Sequence, residues 1–184
     1  MRRFTGSAVA IGPHLAATRS QSCRRSIGTL ALRCWKFSTR SRQQQSAIGL
    51  GWLGVDALVG AQTRSHRDLD LVVDVDDLQL CMAVLASRGY LVETDWLPRR
   101  VELGASGERW ADFHPVAFDR HGIGVQGDPE GTHFLYPPTA FATGRLAGRL
   151  PPCLSVHQQE LFHSGYDLRP QDHHDLRKLA ALRM

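Results

Sequence analysis

The alternation of apolar and polar positions is sharpest between residues 68 and 75, where D-L-D-L-V-V-D-V sets carboxylates two apart and then runs into β-branched residues. A period of two predicts a strand with Leu69 and Leu71 turned into a core and Asp68 and Asp70 projecting together from the other face. Before it, Trp52, Leu53, Val55, Ala57 and Leu58 suggest a short buried helix ending at Gly60. After it, Asp76 and Asp77 stand as an N-cap region for a helix through L-Q-L-C-M-A-V-L-A-S-R, and Gly89 follows as a C′ glycine. Further strands are predicted at Y-L-V-E-T from Tyr90, at R-R-V-E-L from Arg99 and over Arg109 to Phe118, with a weaker one at G-I-G-V-Q around Ile123. Pro137 and Pro138 precede an apolar stretch around Phe141 that reads as helical. Ser155 is placed to cap a helix carrying Val156, Leu161 and Phe162, and Pro170 to open a last helix with Leu176, Leu179, Ala180 and Leu182 on one side. Helix, strand, helix, several strands and then helices is an α+β order. It predicts a mixed β-sheet flanked by helices, with a helical C-terminal tail.

Charge divides the chain. Of 184 residues, 22 are Lys or Arg and 18 are Asp or Glu, a net of +4, yet every acidic residue lies at or after Asp56. Nine basic residues precede that point, so the remainder holds thirteen basic against eighteen acidic residues, a net of −5. Residues 1–45 are rich in Arg, Ser and Gln without a sustained helical or strand period, and they read as an extension separate from a folded unit over 46–184. The extension is expected to be disordered, or the product of a misplaced start, rather than an import presequence or a nucleic-acid-binding arm. No aromatic platform interleaves its arginines, so nucleic acid is not an expected partner. No apolar run approaches the ~20 residues of a membrane span, which excludes an integral helical membrane protein. Four isolated cysteines, Cys23, Cys34, Cys81 and Cys153, form no C-x-x-C pair; they are expected as free thiols, in keeping with a cytoplasmic location.

The carboxylates are the candidate chemistry. Asp68 and Asp70 on one strand face repel each other unless a cation neutralises them, and hard oxygen ligands suit Mg²⁺. Asp112 lies on a second predicted strand, sharing a face with Trp110 and His114. If the two strands are neighbours, three carboxylates converge, a set able to hold two metal ions ~3.5–4 Å apart for attack at phosphorus. D-x-D alone is more often the solvated face of an edge strand.

The wider context alters that weighting. G-W-L-G-V-D-A-L-V-G-A-Q-T-R-S-H-R-D-L-D-L-V-V, from Gly51 to Val73, resembles the opening motif of the antibiotic nucleotidyltransferases of the DNA polymerase beta superfamily. The resemblance is to the aminoglycoside 2″-adenylyltransferase-like and lincosamide nucleotidyltransferase group, in Asp56, Ala57, Leu58, Gly60, Thr63, Arg64, His66, Asp68 and Asp70. It continues through A-D-F-H-P-V, with Asp112 in the third carboxylate position, to L-F-H-S-G-Y-D-L-R-P-Q-D-H-H-D-L, and so covers about Gly49 to Leu182.

The resemblance implies a nucleotidyltransferase fold and transfer of a nucleoside monophosphate, AMP from ATP, to a hydroxyl of an aminoglycoside or lincosamide. Asp68 and Asp70 would ligate Mg²⁺ on the triphosphate, and Asp112 would complete the metal site or act as general base. Gly51 and Gly54 would line the phosphate cradle. Arg64 would meet phosphate or a surface carboxylate, and His66 would touch phosphate or orient a carboxylate. Trp52 stands where the family's second glycine belongs. The Arg/Ser-rich segment also does not resemble the strand that opens the family's sheet, so an exposed sheet edge is expected. These departures set a catalytically impaired relative, or a protein-modifying nucleotidyltransferase, beside the leading reading. His173, His174 and Asp175 read as a solvated helix face.

Overall fold

The computed structural model describes residues 49–51, 53–128 and 130–183. The basic extension and Trp52 lie outside the described residues. The strand expected around Asp68 forms as Asp68–Asp74 (β2) and pairs in parallel with Arg109–Phe118 (β5), Leu69 beside Ala111 and Leu71 beside Phe113. Arg100–Ala105 (β4) runs antiparallel to β5, and Leu91–Trp96 (β3) runs antiparallel to β4 at one edge.

On the other side of β2 the molecule corrects one expectation. Gly49–Leu50 (β1) pairs with β2, and Pro152–Leu154 (β9) pairs with β1, followed by Phe141–Thr143 (β8). The sheet order is β3-β4-β5-β2-β1-β9-β8, so β2 is interior and no edge is left beside it. Strands of two and three residues are too short to show a period, which is why the sequence pattern missed them. Gly124–Gly127 (β6) pairs with the end of β5 and carries His133–Tyr136 (β7) as a hairpin partner. The helix expected around Phe141 is a single 3-10 turn, Pro138–Ala140, before β8. The ring of Phe141 stacks on Tyr136, and that packing favours the extended backbone.

Leu53–Val59 (α1) ends at Gly60, whose φ of +85° a side-chain-bearing residue would adopt at a cost. Leu78–Ala86 (α2) follows a 3-10 turn at Val75–Asp77, and Gly89 stands after it at φ +81°. Val156–Phe162 (α3) is capped by the Ser155 hydroxyl, and Pro170–Ala181 (α4) starts at its proline.

The two faces of the central strands do different work. Leu69, Leu71 and Val73 join Val101, Leu103, Ala111 and Phe113 in a core closed by Leu53 and Ala57 of α1 and by Leu78, Cys81 and Leu85 of α2. Burying such side chains contributes about 1.5–3 kcal/mol each. The opposite face carries the polar residues of the same strands and, further along, a small second cluster of Val72, Val116, Tyr136, Ala140 and Leu154.

Candidate active site

Register places the carboxylates. Glu102 of β4, Asp112 of β5 and Asp70 of β2 are direct cross-strand partners, in one row over three adjacent strands. One step along, Val72 pairs with His114, and one step back Asp68 pairs with Trp110. Ligand atoms of Asp70, Asp112 and His114 all lie within 4.8 Å of one another. His114 Nε2 is 3.5 Å from Asp70 Oδ1 and 3.9 Å from Asp112 Oδ2. Asp68 shares this face but stands outside that group, ion-paired to Arg67 at 3.1 Å. Arg67 in turn lies over the Trp110 ring.

Asp112 is the least contented of these groups. Its Oδ2 accepts from Arg100, whose guanidinium also reaches Glu102 and lies 4.4 Å from the centroid of the Trp96 ring. Its buried Oδ1 has no hydrogen-bond partner among the described residues. Burial pushes the Asp112 carboxyl above its ordinary range, against the opposing effects of His114 and Arg100. A buried carboxylate oxygen without a donor is satisfied by a cation or a proton. The donor set therefore fits a hard divalent ion at Asp70 and Asp112, with Asp68 beside them.

Of the two glycines, Gly51 lies against Asp70, whereas Gly54 lies against Gln159 and Cys153. A Cβ on Gly51 would come within 2.8 Å of Asp70 Cβ, and Gly51 N–H donates to the Asp70 carbonyl. A Cβ on Gly54 would meet Gln159 Nε2 at 2.7 Å. That amide, from α3, donates to the Gly51 carbonyl and pins the loop from behind.

Arg64 and His66 are turned elsewhere. The Arg64 guanidinium forms a forked pair with the buried Asp175 of α4, with nitrogen–oxygen distances of 2.7–3.1 Å. His66 Nε2 lies 2.7 Å from Asp56 Oδ2, and Asp56 Oδ1 accepts from both the amide and the hydroxyl of Thr63. Burial alone would raise the Asp56 carboxyl, but these hydrogen bonds, with that from His66 the strongest, hold it below its ordinary range. His174 Nε2 adds a contact to the Thr63 hydroxyl. Only His173 of the H-H-D triplet lies in solvent, because α4 packs its other side on the loop that leads into β2. The expectation of a solvated face for His174 and Asp175 is thereby corrected.

Sequence reasoning passed over Arg100, Glu102 and Gln126. Alternation along R-R-V-E-L was the available signal for the first two, since it puts Arg100 and Glu102 on the face opposite Val101 and Leu103.

A mixed sheet flanked by helices, with carboxylates on adjacent parallel strands, fits a nucleotidyltransferase fold. The chain aligns with the lincosamide antibiotic adenylyltransferase LnuA, solved with lincomycin bound, at a TM-score of 0.73 and 33% identity, covering 85% of this chain and 96% of that one. It shares the fold of ANT(2″)-Ia, solved with adenylyl-2″-tobramycin, at a TM-score of 0.64 and 16% identity over 88% and 90% of the two chains. A family model described as aminoglycoside-2″-adenylyltransferase matches residues 37–179. The chain is also 38% identical over 132 residues to a lincosamide resistance protein of Staphylococcus haemolyticus, 72% of this chain and 81% of that protein. The chain belongs to the aminoglycoside-2″-adenylyltransferase family and is one of the antibiotic nucleotidyltransferases. No helix among its described residues is long and apolar enough to cross a membrane.

Proposed function

We propose that the chain transfers AMP from ATP to a hydroxyl of a lincosamide antibiotic, with Mg²⁺ held by Asp68, Asp70 and Asp112. The observation that carries the reading is the buried Asp70–Asp112 pair, whose Asp112 Oδ1 has no partner among the described residues, in a chain 38% identical to a lincosamide resistance protein. A lincosamide is favoured over an aminoglycoside because the relatives above 30% identity are named for lincosamides, whereas the aminoglycoside-complexed structure supports the fold alone.

In the reaction the drug's hydroxyl oxygen forms a bond to the α-phosphorus as the bond from that phosphorus to the pyrophosphate oxygen breaks. The products are a nucleotidylated drug and pyrophosphate. Bound Mg²⁺ supplies neutralisation of the triphosphate and of the leaving pyrophosphate. Asp112 either completes the metal site or takes the hydroxyl proton. Arg100 orients that carboxylate through its bond to Oδ2, and the rigid β2–β5 pairing keeps Asp70 at a fixed distance. Gly51 lets the backbone pass against Asp70 and Gly54 lets α1 pack on Gln159, while their amides are taken by the Asp70 and Gly51 carbonyls.

The test is mass spectrometry of the purified chain with Mg²⁺, mixed nucleoside triphosphates, lincosamides and aminoglycosides, with Asp70→Asn as control. The expected result is a gain of one AMP on a lincosamide, absent in the control. A gain on aminoglycosides alone overturns the acceptor, and no gain on any drug overturns the activity.

A further inference from the structure

Behind His114, on the side away from the carboxylates, stands Gln126 of β6, 4% exposed and bonded through every polar atom. Its Nε2 lies 2.7 Å from the Arg99 carbonyl oxygen and 3.3 Å from His114 Nδ1, and its Oε1 accepts from the Tyr136 hydroxyl at 2.6 Å. The orientation of this amide is over-determined. A backbone carbonyl has no hydrogen to give, so the atom facing Arg99 must be the NH₂ group. The same NH₂ then points its second hydrogen at His114 Nδ1, which has to accept. An accepting Nδ1 leaves the ring proton on Nε2, and Nε2 is the atom that faces Asp70 and Asp112.

We propose that Gln126 is a positioning residue that fixes His114 as its Nε2–H tautomer. His114 thereby donates toward the carboxylates and is kept out of the set of metal-ligating groups. The consequence is metal selectivity. Two carboxylates with an imidazole lone pair form a site suited to Zn²⁺ and similar transition ions, whereas carboxylates alone suit Mg²⁺. By turning the lone pair of His114 away from the site, Gln126 disfavours the first set. The tautomer follows from this chain's own hydrogen bonds; only its meaning for turnover rests on the function proposed above.

The test begins with the metal-free full chain, ¹⁵N-labelled at histidine, at a pH where the ring is neutral. Long-range ¹H–¹⁵N correlations of His114, assigned with His114→Gln, are expected to show protonated Nε2 and bare Nδ1. Gln126→Leu is expected to shift the ring to the other tautomer or to an average, and to bind Zn²⁺ at least tenfold more tightly than the wild type. A bare Nε2 in the wild type overturns the proposal, as does a folded Gln126→Leu with unchanged tautomer and Zn²⁺ affinity. Should Gln126→Leu fail to fold, two variants at the ring itself decide. His114→Gln keeps an N–H near the Nε2 position without a ring lone pair, and its kcat is expected to exceed that of His114→Leu at least tenfold at similar KM. Equal kcat values, in a wild type that turns over, overturn the proposal. The NMR and Zn²⁺ readouts stand if no drug is modified, so a failure of the activity is told apart from a failure of this inference.

Discussion

Two buried polar networks flank the start of β2, and they are built to opposite rules. On the loop side, Asp56, Thr63, His66 and the Arg64–Asp175 pair place a donor against each acidic oxygen. On the sheet side, Asp70, Asp112 and Glu102 gather three carboxylates in one cross-strand row, and Asp112 keeps an oxygen that nothing among the described residues satisfies. The first network stabilises the fold. The second holds charge in an arrangement that the fold tolerates, and it is the one to which the proposed function assigns the chemistry. One sequence motif, from Asp56 to Asp70, spans both, so its residues divide by role even though they read as a single signature.

The largest effect separates the two outright. Asp112→Asn keeps the shape and removes the charge, so activity is expected to fall by about 10³-fold. Thermal stability should hold or rise, because burial already opposes that charge in the folded chain. A matching loss of stability in calorimetry would move Asp112 into the structural network.

Next comes Asp175→Ala on the loop side, which leaves the half-buried Arg64 guanidinium without its carboxylate. Breaking such a pair is expected to cost about 3 kcal/mol in urea unfolding. The variant's kcat, measured where it is still folded, should stay within about threefold of the wild type. A large kcat loss at intact stability would restore Arg64 to the phosphate contact that the resemblance offered.

What the sequence showed and what it hid follow the same division. Period-two alternation put Asp68 and Asp70 opposite Leu69 and Leu71, and the strand from Arg109 to Phe118 has the bounds its pattern indicated. Local signals also found Ser155 as a cap and Gly89 as a helix stop. Partners distant in the chain were out of reach. Arg64 and Asp175 lie 111 residues apart, as do Thr63 and His174, and no local period encodes that a C-terminal helix returns to the loop before β2. Arg100 and Gln126 were hidden for a related reason, since their meaning lies in Asp112 and His114 across the sheet.

Acid sharpens the comparison further. The Asp56 carboxyl lies below its ordinary value of 3.8, so its ionised form contributes stability above about pH 4 that is lost as pH falls through the lowered value. Asp56→Asn lacks that contribution. The stability gap between the wild type and Asp56→Asn, about 1–2 kcal/mol near neutrality, is expected to close on acidification below pH 4. Asp112, with its carboxyl raised, has the opposite sign and loses a destabilising charge over the acidic range. Acid unfolding that leaves the Asp56→Asn gap unchanged would deny Asp56 its electrostatic role.

The smallest effect tests whether burial, rather than the ion pair as such, separates the networks. Arg67–Asp68 repeats the chemistry of Arg64–Asp175 within the same motif, but its side chains are 63% and 29% exposed, against 20% and 1%. Water already solvates both ends of the outer pair, so the attraction gained is nearly cancelled by the freedom lost in holding two side chains together. Arg67→Ala is expected to change unfolding free energy by no more than about 0.5 kcal/mol. The same substitution uncovers Asp68, so Mg²⁺ should half-saturate the enzyme at a concentration two- to threefold lower than in the wild type. An Arg67→Ala stability loss as large as that of Asp175→Ala would show that position in the motif, and not depth in the protein, sets the strength of these pairs.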